Sequence, residues 1–168
     1  MKRNTKSSLA IRRLARGGLI AALYVGLTYL AMLFGLASGV IQFRISEALC
    51  ILPIFLPEAV PALALGCFLA NLLTGCAIWD VILGSVATLI GAVGARVIGK
   101  RFHPALATLP TVLANAIIVP FVLMYVYMLE GGYLFFMLTV GIGEIVCASI
   151  LGTILATTLK KMGFINKL

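Results

Sequence analysis

Residues 133–159, YLFFMLTVGIGEIVCASILGTILATTL, decide the fold class of this chain. The stretch is apolar along its length, contains one charged residue, Glu144, and is followed directly by Lys160 and Lys161. A bilayer core about 30 Å thick needs roughly 20 apolar residues in helical form, so the stretch predicts a membrane-spanning helix. The whole composition agrees, because 62% hydrophobic and 11% charged residues cannot build a water-facing surface.

Five more apolar stretches meet or approach the same criterion. The predicted helices cover residues 14–36, 47–56, 60–74, 79–98, 104–128 and 133–159. The second and third are separated because no helix keeps its hydrogen-bond ladder through Pro53, Pro57 and Pro61. Both are too short to span alone and are expected to tilt or to sit partly within the protein. We therefore expect an all-α membrane protein with one six-helix transmembrane domain over residues 1–168.

Two local patterns modify this simple arrangement. Apolar and polar residues alternate strictly from Ile41 to Ser46, which is the period of a strand rather than of a helix. We interpret this segment as a loop folded into the protein. Pro110 and Pro120 lie inside the fifth predicted helix and should kink it. Glu58, in the turn before the third helix, is interpreted as its N-terminal cap.

The basic residues predict the orientation of the helices. With the N-terminus inside, every connection alternates, and 12 of the 13 Lys and Arg residues fall on the cytoplasmic side, as the positive-inside rule requires. These are Lys2, Arg3, Lys6, Arg12, Arg13, Arg16, Arg96, Lys100, Arg101, Lys160, Lys161 and Lys167. Both termini are therefore expected in the cytoplasm. Arg44 alone falls on the outer side.

Several classes of function are disfavoured. The net charge of +8 comes from clusters beside apolar runs, without a basic patch interleaved with aromatic residues, so nucleic-acid binding is not expected. The four Cys residues form no CxxC pair and are interpreted as small apolar filler, and their spacing supports no metal site. No GxxxxGK[ST], HExxH or GxSxG motif occurs, so no ATPase centre, hydrolase centre or cofactor is expected.

Small residues mark two helix faces suited to close packing, because they let backbones approach each other in lipid. The first helix carries two parallel stripes, formed by Gly17, Gly18, Ala21, Ala22 and Gly26. The fourth helix carries one face, formed by Asp80, Gly84, Ala87, Gly91 and Ala95. Packing within the chain is the default interpretation. For the first helix, contact with a partner protein is the alternative.

Polar residues within the predicted membrane region are the candidate site residues. Under the predicted topology, five of them gather near the outer surface and two lie below: Arg44, Glu47, Asn71, Trp79 and Asp80, with Asn115 and Glu144 beneath. Glu144 falls about halfway through the bilayer core, where a charge costs some 2.5–3.5 kcal/mol, so it should face the protein interior and have a partner.

Two hypotheses account for this set. In the structural one, Arg44 forms a salt bridge with Glu47 or Asp80, and the two deeper polar residues bond each other. In the functional one, the set lines an outward-opening pocket with acid, amide and aromatic walls. Such a pocket suits a flat, nitrogen-rich and possibly cationic ligand, since carboxylates accept from paired N–H groups and an aromatic ring stacks on the face.

The chain resembles the QueT family of queuosine-precursor transporters. The resemblance is carried by residues 41–49 (IQFRISEAL), 53–61 (PIFLPEAVP), 66–72 (GCFLANL) and 79–85 (WDVILGS), together with Gly143 and Glu144. It covers nearly the whole chain, and its more specific parts are the blocks containing Arg44 with Glu47 and Trp79 with Asp80.

The resemblance implies a substrate-binding S component of an energy-coupling factor (ECF) transporter, a six-helix subunit in the plasma membrane of a prokaryote. Its implied partners are a transmembrane coupling protein and two cytoplasmic ATPases, and the small residues of the first helix occupy the place that commonly contacts the coupling protein. The implied ligand is a 7-deazaguanine, either a queuosine precursor or queuine. In this reading, Glu144 or Glu47 would accept hydrogen bonds from the guanine-type edge of the ligand. Asp80 would neutralise an aminomethyl arm, and Arg44 would orient an acid or reach the O6 acceptor.

Three alternatives remain open. An S component for another flat vitamin, such as a flavin or thiamine precursor, would use a similar pocket. A small intramembrane enzyme could use Glu47 and Glu144 as an acid–base pair, although no nucleophile or metal cluster accompanies them. A purely structural membrane subunit would lack an outward cavity.

Overall fold

The computed structural model describes residues 5–36, 42–99 and 101–163, and within them six helices and no β-strand. They are α1 (Thr5–Leu33), a 3-10 helix (Ile45–Ile54), α2 (Ala59–Leu73), α3 (Ile78–Ile98), α4 (Pro104–Tyr125) and α5 (Tyr133–Lys161). The predicted all-α fold is confirmed. The helices α1, α3, α4 and α5 are long and apolar enough to cross a membrane. Four of the basic residues, and Ile41 of the alternating segment, lie outside the described residues: Lys2, Arg3, Lys100 and Lys167.

Helix α1 differs from the predicted range at both ends. It begins at Thr5, because Lys and Arg residues such as those before the apolar run are good helix formers. It ends at Leu33, where Gly35 adopts a left-handed conformation with φ of 68°. The N–H of Leu36 donates to the carbonyl of Ala31, and the N–H of Gly35 donates to that of Met32, both at 2.9 Å. This pair of bonds is a Schellman motif.

The second helix is a 3-10 helix of 10 residues and is an internal element. Runs of this type longer than three or four residues are uncommon. All its residues from Ser46 to Pro53 are buried, which agrees with the expectation that this short helix sits within the protein. The loop predicted to continue to Ser46 therefore ends earlier, because Ile45 and Ser46 already belong to the 3-10 helix. The carbonyl groups at the end of the 3-10 helix accept hydrogen bonds from Arg96. Its Nη1 lies 3.0 Å from the Pro53 oxygen and 3.1 Å from the Ile54 oxygen.

Successive helices run antiparallel, so the bundle has two distinct ends. At one end, Arg16 lies 3.6 Å from Glu58, and the Lys160 ammonium lies 5.8 Å from the centre of the Phe55 ring. We call this the basic end. At the other, the Tyr29 hydroxyl donates to the Leu73 carbonyl at 2.9 Å. We call it the cavity end.

Glycines set the closest helix contacts. A Cβ added at Gly66 of α2 would lie 3.2 Å from the Cα of Ala21 in α1, and one added at Gly91 of α3 would lie 2.7 Å from the Cα of Thr111 in α4. The five residues of the small face on α3 are all buried, as the sequence predicts. Close backbone approach at small residues is what holds helices together in lipid.

The last two helices are irregular where they pass each other. Helix α4 breaks at Thr108, two residues before Pro110, and α5 contains a π-helical stretch, Ile145–Leu151, directly after Glu144. The hydroxyls of Thr108 and Ser149 lie 2.7 Å apart and link the two irregularities. Glu58 occupies the N-cap position of α2, but its side chain makes no capping hydrogen bond, because its carboxylate is turned toward Arg16.

Candidate functional site

A cavity of about 400 Å³ opens at the cavity end of the bundle, within the size range of small-molecule sites. It lies between α1, the segment 42–44, α2, α3 and the end of α4. Its polar and apolar lining residues are Thr28, Met32, Gln42, Arg44, Asn71, Thr74, Gly75, Cys76, Asp80, Leu123, Tyr127 and Leu129. A purely structural subunit that lacks such a cavity is therefore not supported.

Asp80 is the polar centre of this cavity. One carboxylate oxygen lies 3.9 Å from Nη2 of Arg44, and the other accepts a hydrogen bond of 2.8 Å from the hydroxyl of Tyr127. Only 14% of the Arg44 side chain and 7% of the Asp80 side chain are exposed. The separation of 3.9 Å is too long for a direct hydrogen bond, so the guanidinium keeps donors available for another acceptor.

Tyr127 supplies both an aromatic ring and a hydroxyl to the cavity. It lies in the turn between α4 and α5, and its oxygen also accepts from the N–H of Ala77 at 3.2 Å. Burial, together with the neighbouring Asp80 carboxylate, raises the pKa of the Tyr127 hydroxyl above its ordinary value. The hydroxyl is therefore protonated at neutral pH and donates to Asp80.

Asn71 lies beside Asp80 on α2. Its Nδ2 lies 3.4 Å from the Asp80 backbone oxygen and 3.7 Å from the Cys67 sulfur, so its amide is only weakly bound. Gly84, one turn along α3 from Asp80, keeps this region open. A Cβ at Gly84 would lie 3.0 Å from Nδ2 of Asn71 and 3.6 Å from Oδ1 of Asp80.

Two buried acids lie behind the cavity rather than in its lining. Glu47 is fully paired, because the Tyr24 hydroxyl donates to Oε1 and the Cys50 thiol donates to Oε2 at 2.9 Å. Glu144 interacts electrostatically with Glu47 and Arg44, and its Oε2 is buried without a hydrogen-bond partner among the described residues. Such an atom is costly to bury, so it calls for a donor from water, from a ligand or from a side chain that moves.

The structure places the seven predicted site residues in four different positions. Arg44, Asn71 and Asp80 line the cavity, and Glu47 and Glu144 lie behind it. Trp79 lies outside the lining with 58% of its surface exposed, because the α3 face that carries Asp80 turns inward.

Asn115 is buried elsewhere in the bundle. Its Nδ2 donates to the Thr111 carbonyl of its own helix at 3.2 Å, and no hydrogen bond to Glu144 is found among the described residues. The structural hypothesis is confirmed in one part, because Arg44 forms a salt bridge with Asp80. Its other part, a hydrogen bond between Asn115 and Glu144, is not found among the described residues.

Sequence reasoning did not select several lining residues as site residues. They include Thr28, Gln42, Cys76 and Tyr127. Tyr127 is one of five tyrosines, a residue type that is common at membrane interfaces, so its identity alone gave no signal. Its distance of 47 residues from Asp80 along the chain hides their contact.

Comparison with known proteins places this architecture in a family. Residues 14–161 match the QueT transporter family. A queuosine precursor transporter, QueT of Lactococcus lactis subsp. cremoris (strain MG1363), is 39% identical over 72 residues, which are 43% of this chain and 42% of that protein. The match thus spans less than half of that relative, and no solved structure matches this chain significantly. Because the family match covers most of the chain, including its membrane-spanning helices, the chain belongs to the QueT transporter family and is a multi-pass protein of a prokaryotic plasma membrane.

Proposed function

We propose that the chain is the substrate-binding S component of an ECF-type importer and captures a 7-deazaguanine, a queuosine precursor or queuine, at the outer face for ATP-driven uptake. The observation that carries the proposal is the cavity of about 400 Å³ with Asp80, Arg44, Asn71 and Tyr127 in its wall. The family is one of transporters, which agrees with the expected transport subunit and disfavours an intramembrane enzyme.

The lining matches the hydrogen-bonding groups of a deazaguanine. Asp80 accepts from an ammonium or from paired N–H groups, Asn71 both donates and accepts, and Arg44 donates to a carbonyl oxygen such as O6. Tyr127 takes the stacking role that the sequence assigned to Trp79. Glu47 already accepts two hydrogen bonds, whereas Oε2 of Glu144 has no partner among the described residues. We therefore assign the second acidic contact to Glu144, which a ligand reaches only by extending past the lining residues.

Calorimetric titration of the purified chain tests this ligand assignment. We expect submicromolar binding of at least one deazaguanine, with much weaker binding of guanine, thiamine and riboflavin, and the same compound should be found by mass spectrometry of ligand retained during purification. Tight binding of a flavin or thiamine compound instead would favour the other vitamin class. Absence of binding across the deazaguanine series would contradict the ligand proposal.

The orientation of the bundle is the second part of the proposal, with the cavity end outside and both termini in the cytoplasm. All described Lys and Arg residues except Arg44 lie toward the basic end or in its connections, which supports this orientation. Cys76 is partly exposed at the cavity end, whereas the cysteines Cys50, Cys67 and Cys147 are buried. In intact cells an impermeant maleimide should therefore label Cys76 and leave Cys76→Ser unlabelled. Labelling only after the membrane is opened would reverse the orientation.

Assembly with a transmembrane coupling protein and two cytoplasmic ATPases is the third part. The structure divides the small residues of α1 between two faces. Gly17 and Ala21 face α2, since a Cβ at Gly17 would lie 3.8 Å from that of Ala62. Gly18 and Gly26 have open space where a Cβ would lie, and Ala22 between them is exposed. We call Gly18, Ala22 and Gly26 the outer stripe and propose that it contacts the coupling protein.

A further inference from the structure

A second cavity, of about 170 Å³, lies at the basic end, far from the proposed ligand site. It is formed by the first turns of α1 and by the turn between the 3-10 helix and α2. Its lining combines three arginines and one acid with apolar side chains: Leu9, Arg12, Arg13, Arg16, Phe55, Leu56, Pro57 and Glu58. It is smaller than the sites that hold drug-sized ligands, which start near 300 Å³.

The charges of this cavity are unequal. Glu58 has only 10% of its side chain exposed and neutralises Arg16 at 3.6 Å. Arg12 and Arg13 form no ion pair with another described residue. The cavity therefore carries an excess of two positive charges, presented by guanidinium groups that match the oxygens of a phosphate in a bidentate manner. Lys160, over the Phe55 ring, adds a further cation beside it.

The position of the cavity identifies the source of the anion. From Leu9 to Arg16 it extends about 10 Å along α1, which is enough to cross the headgroup layer of roughly 5–8 Å on one side of a bilayer and to reach the start of the acyl chains. Its apolar lining, Leu9, Phe55 and Leu56, lies beside the arginines, as a phosphate attached to acyl chains requires. A free phosphate would gain nothing from these apolar side chains.

We propose that this cavity binds the phosphate of an anionic phospholipid from the inner leaflet. Arg12 and Arg13 contact the phosphate oxygens, and Leu9, Phe55 and Leu56 contact the start of the acyl chains. Glu58 limits the strength of binding, because its carboxylate withdraws Arg16 from the phosphate. The bound lipid links α1 to the turn before α2, and the proposal does not depend on the identity of the transported ligand.

Native mass spectrometry of the full chain, with phosphatidylglycerol or phosphatidylcholine of identical acyl chains, tests the proposal. We expect preferential retention of phosphatidylglycerol, and Arg12→Gln with Arg13→Gln should weaken it by about tenfold to thirtyfold, since each basic residue near an anionic surface contributes on the order of a factor of five. Glu58→Gln should strengthen it, because Arg16 is then released toward the phosphate.

A matched control removes the same charge from the same end. Arg101→Gln with Lys161→Gln lowers the net charge by two as well, but neither residue lines the cavity. This control should keep phosphatidylglycerol binding within about twofold of the unmodified chain.

Equal losses of lipid binding in both double variants would overturn the site and indicate a non-specific attraction between the basic end and anionic lipids. Displacement of the lipid by millimolar inorganic phosphate would assign the cavity to a free anion. Unchanged lipid binding in the Arg12 and Arg13 variant would equally overturn the proposal.

Discussion

Replacement of Asp80 by asparagine should weaken binding of the deazaguanine that the chain prefers by about a hundredfold. The carboxylate is the only acid among the described lining residues, and truncating one member of a buried charge pair costs on the order of 2–5 kcal/mol, where 1.4 kcal/mol is a factor of ten. Tyr127→Phe removes the hydrogen bond of 2.8 Å to this carboxylate, together with the weaker one of 3.2 Å from the N–H of Ala77, and should cost a factor of about five to ten. Titration calorimetry of the purified variants measures both effects.

Glu130→Gln is the matched control for Asp80. It removes an acid from the same end of the bundle, in the exposed turn before α5, and should bind as the unmodified chain does. Wild-type affinity in a folded Asp80→Asn protein would show that this cavity is not the ligand site.

The structural role of Asp80 requires a second variant. Without its partner the Arg44 guanidinium is left buried and unpaired, which is strongly destabilising, so Asp80→Asn should also lower the thermal stability. The double change Asp80→Asn with Arg44→Gln removes both charges and should recover stability without recovering affinity. Recovery of both would mean that Asp80 serves only as the partner of Arg44.

Leucine at Ala22 and Gly26 should abolish uptake and leave ligand binding unchanged within about twofold. Both positions belong to the outer stripe of α1: a Cβ at Gly26 would have no described atom within 4 Å, and Ala22 is exposed. A helix interface in lipid depends on the close approach of small residues, so two leucines would hold the coupling protein away. Co-purification with the coupling protein and ATPases, together with uptake of a labelled precursor in cells, measures the effect, and we expect at least a tenfold loss in both.

Two further substitutions separate assembly from folding. Val93→Phe enlarges an exposed position on α3 and should leave assembly and uptake intact. Ala21→Leu changes the inward stripe, where even a Cβ added at Gly66 would lie only 3.2 Å from the Ala21 backbone, and should destabilise the chain itself. Normal assembly of the Ala22 and Gly26 variant would place the partner surface elsewhere.

The fold class and the number of helices followed from sequence, because they depend on the length of apolar runs and on the positions of prolines. Bilayer thickness makes an apolar stretch such as residues 133–159 unambiguous. The internal position of the second helix followed from its length, but its 3-10 conformation did not. This helix packs against α1, α3 and α5, with all residues from Ser46 to Pro53 buried, so its conformation depends on contacts with residues far away in the chain.

The candidate site could be predicted only in part. Arg44, Asn71 and Asp80 were selected because polar residues in a membrane need a reason to be there, and they do line one cavity. Trp79 and Asn115 were selected by the same argument and point elsewhere. Depth along a helix can be counted from sequence, whereas the direction around its axis depends on which neighbours pack against it.

The acid at the middle of residues 133–159 shows the same division. The sequence determined that Glu144 lies within the membrane region, since the apolar run around it fixes its depth. Only the tertiary structure decided that it lies behind the cavity, near Glu47 and Arg44, with one oxygen unpaired among the described residues. In the same way, the sequence predicted two stripes of small residues on α1, but packing against α2 decided that Gly17 and Ala21 face inward and that the outer stripe is exposed. Local sequence sets which segments become helices, because backbone hydrogen bonds must be satisfied in lipid; the rotation of each helix is set by close contacts between residues far apart in the chain.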